Sequence, residues 1–233
     1  MPKDLLKREN LSDKLAGIIG RKIIRNELKS GEIIYETQIA KEWGVSRSPV
    51  RDALRMLEQK RLVERTDKGS YRVTEMSAAF ILNFYETVNI LFQYAFAKTA
   101  EKATEKDMRA LKNALKKIER SPASQDIDLY MKGMLEFAHT ILRASGNPIV
   151  EQMAMELMPN AERIQWISIT CLPDNMDKIV SNIQSSYQSI SNKNPQGAAK
   201  AFADFAATHI EFANQYFLHN QIETAPAKVV KSV

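Results

Sequence analysis

The chain has 233 residues, 44% hydrophobic and 26% charged, the balance of a soluble globular protein with apolar material for one large domain or two modest ones. No apolar run reaches the ~18 residues of a membrane-spanning helix, and the charged start Met1-Pro2-Lys3-Asp4 has no signal-peptide core. The single cysteine, Cys171, excludes an internal disulfide and a cysteine-based metal site.

These features point to the cytoplasm. The net charge of +5 is placed unevenly: residues 1–76 hold 17 Lys and Arg against 12 Asp and Glu, whereas residues 77–233 are balanced at 16 of each. A basic first third suits a polyanion, although a modestly basic surface with no partner gives the same count.

In chain order, Leu15, Ile18, Ile19 and Ile23 recur at helical spacing and predict a first helix over about 12–26, with Ser12 as N-cap and Lys29-Ser30-Gly31 as the turn that follows. A short second helix is expected over about 36–43, with Ile39 and Ala40 facing inward and Gly44 breaking it. Ser46 then caps a third helix running to about residue 60. Pro49 falls in its first turn, where a missing N–H costs little, and Val50, Leu54 and Leu57 form its buried stripe. Two β-prone runs, residues 62–65 and 70–73, flank Thr66-Asp67-Lys68-Gly69 and predict a hairpin. Three helices followed by a hairpin is the plan of a winged helix-turn-helix.

Opposite the buried stripe of the third helix, Arg47, Arg51 and Arg55 are spaced i, i+4, i+8 and share one face, each step rising about 6 Å. Such a face fits a DNA major groove, where arginine pairs bidentately with guanine or grips phosphate. Arg47, Ser48 and Arg51, at the N-terminal end, are candidates for base edges, and Arg55 for the backbone. The Ser46 hydroxyl suits a phosphate, and Lys68 with Gly69 suits a wing tip entering the minor groove. The bland alternative is three arginines on a solvated face; the ordered run of short helix, glycine, serine cap, arginine face and basic wing favours DNA.

The stretch GVSRSPVRDALRMLEQKRLVERTDKGSYRV, residues 44–73, resembles the GntR family of bacterial regulators, its segment Val45 to Leu54 nearly residue for residue. The resemblance implies DNA contacts for Ser46, Arg47, Ser48, Arg51 and the wing at Lys68-Gly69. A family position that is often basic and touches phosphate is Thr37 here, so the resemblance implies a contact that is weakened or replaced by a hydroxyl.

From Ser77 onward the pattern reads as helix after helix, over about 77–102, 104–120, 125–145, 147–171, 174–192 and 196–219, followed by a polar and then basic tail, residues 221–233, expected to be disordered. Domains are therefore expected at 1–76 and 77–220, closely joined. The expected fold class is mostly α: a winged helix-turn-helix followed by an all-α bundle.

The second part resembles the FadR-type subgroup, with an FCD-like helical domain enclosing a ligand cavity, most closely over His139 to Pro148 and around His209. Many members hold a metal there with one Asp and three His, ligands suited to zinc or nickel. Here His139 and His209 match two histidine positions, but the Asp position is Leu135, the remaining histidine position is Tyr187, and an accompanying arginine position is Val88. Two imidazoles fall short of a usual ligand set, although Glu136 lies one turn from His139. The resemblance thus implies a more apolar cavity involving Val88, Leu135, His139, Trp166, Tyr187 and His209, which either takes an effector larger and less charged than a small carboxylate or is structural; a metal on His139 and His209 is the weaker alternative to their being ordinary hydrogen-bonded helix residues.

The resulting expectation is a homodimeric regulator that binds double-stranded operator DNA, responds to a small-molecule metabolite and does not touch membranes. Two other readings compete. An effector-independent DNA-binding protein would bind alike with or without metabolite. A metal-dependent enzyme is disfavoured because the sequence has no nucleophile–base pair, phosphate loop or His-Glu-x-x-His motif.

Overall fold

The computed structural model describes residues 3–171 and 176–223. Helix α1, Lys3–Ile24, packs against α3, and the N-terminal unit continues through β1 (Ile33–Ile34), α2 (Glu36–Glu42), α3 (Arg47–Gln59), β2 (Val63–Arg65) and β3 (Tyr71–Val73). The first helix begins well before Ser12. That serine is therefore buried inside the helix and is not its N-cap.

The expected hairpin forms with Val63 opposite Val73 and Arg65 opposite Tyr71. Its turn is closed by Thr66 N–H donating to the Ser70 carbonyl and Gly69 N–H to the Thr66 carbonyl, with Gly69 at φ 79°, a backbone region that glycine enters without penalty. The sequence reading lacked β1, which adds a third strand on the other side of β3. Ile19, Ile23, Val50, Ala53, Leu54, Leu57, Leu62 and Val73 form the core of this unit.

Six long helices follow: α4 (Ala78–Lys102), α5 (Glu105–Ser124), α6 (Ile127–Ala144), α7 (Pro148–Cys171), α8 (Met176–Ser191) and α9 (Pro195–Glu223). The starts of α4, α5 and α6 are written in side-chain caps. The Ser77 hydroxyl accepts from Phe80 N–H, Thr104 and Asp107 form a reciprocal capping box, and the Asp126 carboxylate accepts from Leu129 N–H. Helix α4 packs on α9, α5 on α6 and α8 on α9. A run of rings fills the centre, with Phe202 stacked 5.0 Å from Phe92 and Phe205 packed 4.3 Å from His209. The expected tail starts too early: α9 continues to Glu223, and residues 224–233 lie outside the described residues.

The two parts have separate apolar cores, and Met76 already belongs to the second. They meet along α7. Asn160 Nδ2 donates to the Lys60 carbonyl at 2.9 Å, at the C-terminal end of α3, and Arg163 Nη1 donates to the Thr74 carbonyl at 2.9 Å, just past β3. Both side chains are buried. Burial without an acidic partner lowers the Arg163 pKa to about 10. Arg25 at the end of α1 adds an ion pair to Asp128 and lies over the Trp166 ring, 5.3 Å from its centre.

A neutral hydrogen bond contributes about 1 kcal/mol and one from a charged donor about 1.5–3 kcal/mol. The double variant Asn160→Ala, Arg163→Met should therefore loosen the N-terminal unit from the bundle. Glutamyl endopeptidase cleavage at Glu75 should then speed up at least tenfold, with helical content retained. An unchanged cleavage rate would show that α7 does not hold the junction.

Candidate nucleic-acid interface and effector cavity

Helix α3 is built so that one side is fixed and the other is free to meet a ligand. Pro49, Val50, Ala53, Leu54 and Leu57 are buried, while Ser46, Arg47, Ser48, Arg51 and Arg55 are exposed. Ser46 holds the N-cap position, but its side chain makes no hydrogen bond to the first turn. The helix start therefore keeps donors that a phosphate could use.

The arginines are held by an acid from the preceding helix. Glu36 at the start of α2 accepts from Arg51 Nε at 3.1 Å and from Arg51 Nη2 at 3.0 Å, and lies 3.6 Å from Arg47. The Arg51 hydrogen bond, more than any other influence, keeps the Glu36 pKa below the usual carboxylate range. Arg55 lies a loose 3.9 Å from Asp52. Thr37 is exposed beside Glu36, and Lys68 and Gly69 are exposed at the tip of the β2–β3 turn. The sequence reading did not find Glu36, because its role depends on the angle between two helices.

The bundle holds a partly open cavity lined by Tyr85, Val88, Phe92, Leu135, Phe205 and three methionines, Met131, Met134 and Met158. Its volume is about 40 Å³, space for a few water molecules and far below the several hundred Å³ of a usual ligand pocket. Two polar side chains from α7, Glu162 and Gln165, also line it. Burial raises the Glu162 pKa, opposed by the charge of Lys60 at the end of α3. The sequence reading missed both residues.

Of the expected cavity residues, Val88 and Leu135 are in the lining. Trp166 instead lies at the junction under Arg25, and Tyr187 packs half-buried against the core. His139 is exposed on α6, whereas His209 is fully buried on α9. Glu136, the substitute ligand, is paired with Lys117. Among the described residues no group of three or more His, Cys, Asp or Glu gathers as a metal site would require.

His209 behaves as an aromatic core residue. Its Nδ1 lies 3.1 Å from the Phe205 carbonyl and so carries the proton, while Nε2 is buried without a hydrogen-bond partner. Burial lowers its pKa to about 4, against about 6.5 unfolded. The unfolded chain thus takes up the proton first. The stability this neutral ring allows is complete above about pH 6.5 and is lost as the pH falls towards 4. Urea unfolding should show a loss on the order of 2 kcal/mol between pH 7 and pH 5 from this group, and His209→Phe should flatten that slope. An equal slope in the variant would mean that His209 is not the titrating group.

A family model described as "Bacterial regulatory proteins, gntR family" matches residues 11–73, and one described as "FCD domain" matches residues 83–211. The uncharacterized HTH-type transcriptional regulator YdhC of Bacillus subtilis is 34% identical over 99 residues, which is 42% of this chain and 44% of that protein, so the match spans less than half of that relative. The gluconate operon transcriptional repressor of B. subtilis is 25% identical over 168 residues, covering 72% of this chain and 69% of the repressor. Among solved structures, Escherichia coli McbR/YncC superposes with a TM-score of 0.76 at 19% identity, over 89% of this chain and 98% of that one. It thereby shares the fold. The chain belongs to the gntR family of bacterial regulatory proteins, in its FCD-containing, FadR-type group, and is a DNA-binding transcriptional regulator with a helical effector-binding domain.

Proposed function

We propose that the chain acts in the cytoplasm as a homodimer, by binding and not by catalysis. In this reading Arg47, Ser48 and Arg51 read bases, Ser46, Thr37 and Arg55 grip the backbone, and Lys68 with Gly69 enters the minor groove. The observation that carries it is the exposed arginine face of α3, held in place by Glu36. An arginine already oriented by an acid loses less side-chain freedom when it meets a guanine edge or a phosphate.

A dimer follows from the geometry of operator reading, because two-fold symmetric proteins place two such helices about one DNA turn apart. On the bundle, α4 exposes Leu82, Ile90 and Tyr94 along a face that also carries the exposed Glu86, apolar groups that a second copy would cover. No helix among the described residues is long and apolar enough to cross a membrane. An effector in the bundle would act by binding one arrangement of the two N-terminal units better than another. Helix α7 supports that route, since Glu162 and Gln165 line the cavity while Asn160 and Arg163 hold α3 and β3.

With an operator first selected from a random duplex pool, Arg51→Ala should weaken binding roughly ten- to a hundredfold and relax base preference at one position per half-site. Full retention of specificity would remove Arg51 from the reading face. Lys68→Ala should weaken selected and random duplexes alike and flatten the salt dependence by up to about one unit of slope. An unaltered slope would take the wing tip off the DNA.

A further inference from the structure

The cavity is selective by what it lacks as well as by what it holds. Among the described residues its lining contains no lysine, arginine or histidine, and the nearby Lys60 is already set against the carboxyl of Glu162. An anion placed there would lose hydration with no lining cation to replace it, a cost that apolar surroundings raise. The polar groups present include an acceptor that nothing among the described residues satisfies. Gln165 is buried and its Oε1 has no hydrogen-bond partner; the Tyr85 Oη is buried in the same condition; and Glu162 presents a carboxyl group. Buried polar atoms without partners are rare in folded proteins and mark places where a missing group completes the hydrogen bonding. The remaining lining is aromatic and aliphatic, and Met131, Met134 and Met158 give it side chains that can repack around a guest at low cost. The small volume means that a guest enters by moving these thioethers and not by filling a ready-made space.

We propose that the cavity takes a predominantly apolar, non-anionic molecule bearing a hydrogen-bond donor such as a hydroxyl group, which donates to Gln165 Oε1 while its carbon skeleton displaces the three methionines. This rests on the reading of the bundle cavity as the effector site and specifies the chemical class that site accepts. It also separates this chain from a cavity built for small carboxylates, which needs a metal or a guanidinium to meet the negative charge.

The test uses two probes of equal chain length, 1-hexanol and hexanoate, titrated at pH 7 into the full chain labelled with ¹³C at the methionine methyl groups. The expected result is saturable shifts of the Met131, Met134 and Met158 methyls with hexanol, at least tenfold tighter than with hexanoate. Gln165→Met, which keeps the volume and removes the acceptor, should weaken hexanol about five- to tenfold. If hexanoate binds as tightly as hexanol, the proposed class is wrong while the cavity stands as a binding site. If hexanol binds equally well to the Gln165→Met variant, the donor–acceptor contact is wrong. If neither probe moves the three methyls, both the class and the reading of the cavity as an effector site fall.

Discussion

The structure depends on helix α7 belonging to two interfaces at once. Within a few residues its sequence must supply small and apolar groups to the bundle core, polar groups to the cavity and hydrogen-bond donors to the N-terminal unit. Residues 160 and 163 lie three apart and therefore on one side of the helix, where Asn160 and Arg163 reach the carbonyls of Lys60 and Thr74. Residues 158, 161, 162 and 165 share another side, where Met158, Ala161, Glu162 and Gln165 meet the cavity. A rotation or shift of α7 cannot reshape one side without moving the other, because packed interiors do not absorb displacements gradually. The charge of Lys60, felt by Glu162, gives the same link an electrostatic part.

The N-terminal unit turns this link into something DNA could sense. Lys60 is the C-cap of α3, so the helix that carries the arginine face is held at one end by α7. At the other end Arg47 and Arg51 are held by Glu36. The exposed ion pairs contribute little to stability in water. Their value lies in direction: the guanidinium groups are gathered on one side of α3, while Ser46 leaves the first-turn amides without a side-chain cap. Thr74, the second α7 contact, follows the strand that closes the wing. The arginine-bearing helix and the β2–β3 hairpin thus both end next to residues that α7 holds.

Much of this was legible in the sequence, for a physical reason. Helix positions in the bundle follow from apolar periodicity and from caps such as Ser77, which are local signals. The arginine face follows from i, i+4, i+8 spacing, also local, and Gly69 marks its turn because of the backbone angle it must adopt. What was not legible depends on residues far apart in the chain. Strand β1 is only Ile33–Ile34 and exists because Ile34 pairs with Tyr71. Glu36 meets Arg51 across 15 residues. Arg163 looks like an ordinary surface arginine on a helix until the N-terminal unit covers it. Trp166 looks like a cavity aromatic, but Arg25 from α1 draws it to the junction.

The histidines make the same point about chemistry. Sequence position alone pairs His139 with His209 as remnants of a metal site, yet one lies in water and the other within a cluster of Phe205, Phe212 and Tyr85. Among the described residues the buried imidazole has no acidic or metal-ligating cluster beside it and is held as a neutral ring. Its pKa of about 4 reflects that burial. A cavity whose described lining holds no cation, but that has an acceptor on Gln165, favours uncharged donors on electrostatic grounds. The residues that set this preference, Glu162 and Gln165, lie on the same stretch of α7 as the Asn160 and Arg163 that hold the junction, so one helix carries both the cavity's polarity and the tie to the N-terminal unit.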